Sequence, residues 1–165
     1  MTGEGVNVVI GVGIRMRRDY AAGPVVVDRL QGKVPRGVHL VESIGDPVSL
    51  LGWWQSASLA VVVDAVKTGS KPGTVFRFNG HDSLPSAFFR QSTHLVGLAD
   101  AVQMARTLDR MPGVLVLFGI EAQTMDYGEE ISPAVHAALD GVVDSILEMF
   151  PSSDSPSSLN GATNA

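Results

Sequence analysis

Asp64, His94 and Glu121 are the side chains of this sequence best suited to chemistry, together with the glycine turn Gly11-Val12-Gly13 and the Asp19 that follows it. A carboxylate and an imidazole converging in one crevice can hold a metal ion, work as acid and base, or cap helices. Residue type alone leaves all three uses open. Glu121 is a stand-in carboxylate or a loop cap. Asp64 interrupts the apolar run Leu59-Ala60-Val61-Val62-Val63-Asp64-Ala65-Val66. An unpaired charge inside a buried strand is costly, so Asp64 is expected at the strand's carboxyl end, facing a crevice, or else bonding the N–H groups of a nearby loop. Zero cysteines exclude disulfides and thiolate chemistry. The glycine turn lacks the third glycine of a dinucleotide fingerprint and is a weak nucleotide signal.

The elements that must position these residues follow from periodicity and punctuation. Val6 to Val12 reads as a first, nearly all-apolar central strand. Val25 to Leu30 is β-branched, but Pro24 and the need to connect two parallel strands favour a helix. Val38 to Val41 forms a second strand. Asp46 caps a helix opened by Pro47 and running to Trp54, with one of Trp53 and Trp54 buried and the other partly exposed. Leu59 to Ala65 is the third strand.

Thr74 to Phe78 begins only a few residues after Val66. A parallel crossover needs about a dozen or more, so this fourth strand should run antiparallel to the third. Ser92-Thr93 then caps a helix with Leu95, Leu98, Val102, Ala105 and Leu108 on one face. Val114 to Ile120 rises as a fifth strand, parallel to the third. Ser132-Pro133 opens the clearest helix, with Val135, Leu139, Val142, Ile146 and Phe150 at helical spacing. The glycine turn, Asp64, His94 and Glu121 should all gather at the carboxyl edge of the sheet, where ligands of open α/β folds bind. His39 and His136 read as surface or packing residues, and His81-Asp82 as a turn.

The chain has 165 residues, 45% hydrophobic and 18% charged, with a formal net charge of −5. That suits one α/β domain over 1–150, with a disordered Ser/Pro-rich tail over 151–165. No basic run recommends nucleic acid as a partner, and no apolar run approaches the ~20 residues of a membrane span. With no signal-peptide pattern at Met1 to Asn7, a soluble cytoplasmic chain is expected.

Four segments together resemble the hydrogenase maturation proteases, which trim the C-terminal extension of the nickel-iron hydrogenase large subunit. They are Gly11-Val12-Gly13 with Arg18-Asp19 and Gly23-Pro24; Val63-Asp64-Ala65 with Pro72-Gly73-Thr74; Ser92-Thr93-His94 with Gly97-Leu98-Ala99-Asp100-Ala101; and Phe118-Gly119-Ile120-Glu121 with Ile131-Ser132-Pro133. The resemblance implies a three-layer α/β/α sandwich, phosphorylase/hydrolase-like, whose five-stranded mixed sheet has strand 4 antiparallel. This agrees with the spacing of the third and fourth strands.

It also implies an endopeptidase that acts on the hydrogenase large-subunit precursor after nickel insertion and recognises nickel supplied by that precursor. The implied catalytic residues are Asp64 and His94, and the implied metal set is Asp19, Asp64 and His94. Carboxylate and imidazole suit Ni(II), which does not require thiolate. Nickel in the substrate would polarise the scissile carbonyl or activate a water.

The sequence departs from the family pattern at Ile14, where an Asn is usual, at Tyr20, where a second acidic residue is usual, and at Ala21, where Gly is usual. A phenol with a pKa near ~10 is a poor replacement for a carboxylate. Asp19 is adjacent, but neighbours on an extended segment point opposite ways, and it also has Arg17 and Arg18 at hand as ion-pair partners. The alternatives are a cleavage-deficient member that acts as a precursor-binding or checkpoint protein, and an unrelated nucleotide-binding α/β protein. The cleavage site, the hydrogenase and the oligomeric state are not encoded in any residue pattern.

Overall fold

Strand β3 (Leu59–Val66) is the axis of the molecule, because an apolar, largely β-branched run is stable only where both of its faces are covered. In this computed structural model, which describes residues 6–85 and 95–150, β3 is hydrogen-bonded along both edges. Its parallel partners are β1 (Asn7–Val12) and β5 (Val114–Glu121). Outside them lie β2 (Val38–Ser43), parallel to β1, and β4 (Val75–Asn79), antiparallel to β5, giving the order β2-β1-β3-β5-β4. The short β3–β4 connection therefore reverses the chain as its length requires.

The helices are α1 (Ala22–Leu30), α2 (Pro47–Trp54), α3 (Leu95–Thr107) and α4 (Pro133–Glu148). Alternation along the strands sends Ile10, Ala60, Val62 and Val66 to one face, where they pack with Leu50, Trp54, Leu98 and Ala105 of α2 and α3. Val9, Val61, Val63 and Phe118 face the other way and pack with Val26 and Leu30 of α1 and Leu139 and Ile146 of α4. The layers are α/β/α, with a five-stranded mixed sheet whose fourth strand is antiparallel.

Local chemistry accounts for most boundaries. Asp46 accepts a hydrogen bond from Ser49 N at 3.0 Å and caps α2. Trp54 is fully buried and Trp53 is exposed, as a helix end requires. The valine run in α1 is helical despite its β propensity, because a crossover must join β1 to its parallel neighbour. That helix starts at Ala22, two residues before Pro24. Gly23 lets α1 touch the sheet, since a β-carbon there would overlap the carbonyl oxygens of Val12 and Val63.

Two expectations need correcting. β3 extends to Val66, so Asp64 sits inside the strand rather than at its end. Leu108 is half exposed and lies past the end of α3, beside Asp109, whose φ of 53° is incompatible with a continuing helix. Ser92, Thr93 and the tail over 151–165 lie outside the described residues.

Candidate active site

Three segments of the carboxyl edge meet around Asp64. By alternation its side chain shares the face of Val62 and Val66, beneath α2 and α3, and its backbone is in register with Gly119 of β5. The residue is 1% exposed, and neither carboxylate oxygen has a hydrogen-bond partner among the described residues. Burial pushes its pKa up to about 8, with the Ala65 N–H pulling weakly the other way. Near neutral pH this carboxyl holds its proton or takes a cation in its place.

Tyr20 is wholly buried against Ala65 and Ala122, with Ile14 and Met125 closing over it. It comes from a 3-10 turn, Arg18–Ala21, not from an extended segment. Asp19 and Tyr20 nevertheless diverge. Burial raises the phenol's pKa, the nearby Asp64 charge raises it further, and Arg17 opposes both. Tyr20 and Asp64 are thus electrostatic neighbours.

Asp19 is also wholly buried, but its carboxylate is occupied. It accepts from Gln123 N at 2.8 Å, Thr124 N at 3.0 Å, Ser132 N at 2.7 Å and Ser132 Oγ at 2.8 Å. Arg17 and Arg18 do not pair with it. Arg17 donates to Met125 O and lies over the Tyr127 ring, and Arg18 reaches toward Tyr127 O. Of the arginines in this segment, Arg15 forms ion pairs, with Asp28 at 2.7 Å and Glu42 at 2.8 Å.

Glu121, the last residue of β5, caps the loop after β3. It accepts from Thr68 N at 2.9 Å, Gly69 N at 3.0 Å and Thr68 Oγ1 at 2.7 Å. Of three buried acids near this edge, two fasten loops, and one, Asp64, accepts no hydrogen bond of good geometry among the described residues. His94 lies outside the described residues, and among those described no group of three metal-binding side chains forms. Residues 24–149 match the family model described as hydrogenase maturation protease.

The chain belongs to the hydrogenase maturation protease family. It is, by that membership, a peptidase. It is 30% identical over 146 residues to the hydrogenase expression/formation protein HupM of Azotobacter chroococcum, covering 85% of this chain and 69% of that one. The hydrogenase 2 maturation protease of Escherichia coli is 26% identical over 143 residues, covering 84% and 87%. The fold superposes on the E. coli hydrogenase maturating endopeptidase HybD with a TM-score of 0.75 at 25% identity, covering 86% of this chain and 90% of that one. This chain thus spans about two thirds of the length of its longer relative and most of the shorter ones.

Seen as a maturation protease, the chain uses its glycine turn for packing. A β-carbon on Gly13 would overlap the Tyr20 carbonyl oxygen, so the tight approach that seats Tyr20 depends on that glycine. Ser132-Pro133 opens α4 as the sequence pattern implies, and the Ser132 side chain has a second role. This serine precedes α4 at the cap position, yet its hydroxyl makes no cap bond and goes to Asp19 instead. Among the described residues no helix is long and apolar enough to cross a membrane.

Proposed function

We propose that this peptidase removes the C-terminal extension of a nickel-iron hydrogenase large-subunit precursor after nickel insertion, in the cytoplasm, and reads the nickel that the precursor carries. The observation that supports the reading is Asp64, a buried carboxyl on the central strand with no hydrogen-bond partner among the described residues, poised to exchange its proton for a cation. Asp64 would supply one oxygen ligand, and His94 an imidazole by resemblance to the family. Asp19, the third candidate, would have to give up four hydrogen bonds to join them. The metal is part of the substrate, so its role is to polarise the scissile carbonyl or activate water only when the correct precursor is seated.

Tyr20 favours a second reading. A buried phenol stands where the family pattern has an acid, beside Asp64. A chain so altered would bind the nickel-loaded precursor and not cut it. Incubating purified protein with nickel-loaded and metal-free precursor separates the two. Shortening of the loaded form alone supports the peptidase; tight binding of an uncut precursor supports the checkpoint reading. Tight nucleotide binding with no affinity for the precursor would refute both.

A further inference from the structure

The stretch from Ala122 to Ser132 crosses the rim beside Tyr20 and is bound to the segment before α1 in two ways. Main-chain bonds hold its start and its middle: Arg18 N donates to Gly128 O at 2.9 Å, Gly128 N to Met16 O at 2.9 Å, and Asp19 N to Thr124 O at 3.2 Å. The Asp19 carboxylate holds its start and its end at once, through Gln123, Thr124 and Ser132. Between the joined segments lies a cavity of about 240 Å³, lined by Arg18, Glu130 and Ile131 besides the three residues that donate to Asp19.

We propose that Asp19 is a positioning residue of the peptidase and not a ligand to the substrate's metal. It fixes the 122–132 loop against the turn that presents Tyr20 to Asp64, and so shapes the wall on which the precursor peptide lies. The inference rests on the cleavage reading given above. A carboxylate with no exposure and four donors already engaged is closed off from an outside ion, and withdrawing it would strand three part-buried N–H groups. One oxygen takes three of the donors and the other takes only Ser132 N. An asparagine can therefore keep the three-donor side and lose a single bond, whereas an alanine loses all four.

The test compares Asp19→Asn, Asp19→Ala and Ser132→Ala in the full chain, well below each variant's melting temperature. It reads amide exchange at Gln123, Thr124 and Ser132 together with kcat and KM on nickel-loaded precursor. Positioning predicts a graded series. Asp19→Ala should lose about 10²-fold in kcat, the scale expected for an ångström of misplacement. Ser132→Ala and Asp19→Asn should each lose about tenfold or less, and loop amides should exchange faster in the same order. The proposal is overturned if Asp19→Asn is as inactive as Asp19→Ala while its loop amides stay protected, the signature of a ligand. It is equally overturned if melting temperatures fall while kcat per folded molecule is unchanged. Should the unaltered chain bind the precursor without cutting it, the cleavage reading fails. The same graded order, read in amide exchange and precursor affinity, then decides for or against Asp19.

Discussion

The Tyr20 phenol and the Asp64 carboxyl are buried neighbours, and negative charge on Asp64 is the second cause, after burial itself, that keeps the phenol protonated. Replacing Tyr20 with Glu would set two carboxylates against each other where water is excluded, and like charges so placed oppose one another's ionisation. Tyr20→Glu is expected to lower the melting temperature in metal-free buffer and to recover part of the loss on adding Ni(II). Calorimetric titration should show tighter nickel binding than in the unaltered chain. A melting temperature indifferent to nickel would mean that the two carboxylates do not share an ion.

Asp64 makes stability depend on pH. Its carboxyl titrates near 8 when folded, far above the 3.8 of an ordinary aspartate. Between those values the folded chain binds more protons than the unfolded one, so stability falls as pH rises from about 4 to 8 and levels off above. Asp64→Asn should abolish cleavage yet stabilise the fold at pH 8.5 by on the order of 2 to 4 kcal/mol, with little effect at pH 4.5. Urea denaturation at the two pH values measures it. Because a metal ligand must be ionised, engagement of nickel-loaded precursor is expected to strengthen as pH rises toward 8.

Glu121 should act on the loop it caps and not on the metal. Glu121→Gln turns one acceptor oxygen into a donor facing the N–H groups of Thr68 and Gly69. A cost of about 1 to 3 kcal/mol is expected, the range for stranding a buried hydrogen-bonding group. Thermal unfolding gives the cost, and proteolytic nicking near Lys67 should increase.

Gly23→Ala should be among the most damaging single substitutions. The added methyl group would meet the backbone oxygens of Val12 and Val63, atoms that cannot rotate aside. A loss of about 1 to 3 kcal/mol is expected from such overpacking, whereas alanine at the open Gly52 should be neutral or better. Chemical denaturation of the pair provides the comparison.

The fold was legible wherever local pattern and topology agree. The spacing of Val135, Leu139, Val142 and Ile146 fixed the buried face of α4, and the shortness of the link from Val66 to Val75 forced the antiparallel strand. The site was legible only as a set of residue types. Asp19, Asp64 and Glu121 look alike in a sequence, and what separates them is whether an N–H group from a distant loop arrives at the carboxylate. Ser132 before Pro133 carries the same local pattern whether its hydroxyl caps α4 or turns to Asp19. Arg15, rather than Arg17 or Arg18, forms the ion pairs, a choice made by the spatial approach of Asp28 and Glu42.

The central place of β3, flanked by strands and covered by helices, divides the molecule by timescale. A strand bonded on both edges moves only when the whole fold opens, so the floor that carries Asp64 keeps its shape for the lifetime of the native state. Local opening is therefore left to the rim, where Asp19 and Glu121 fasten the loops. Order at the rim is thus a local property: loosening those loops would blur the walls of the site while leaving the strand beneath undisturbed.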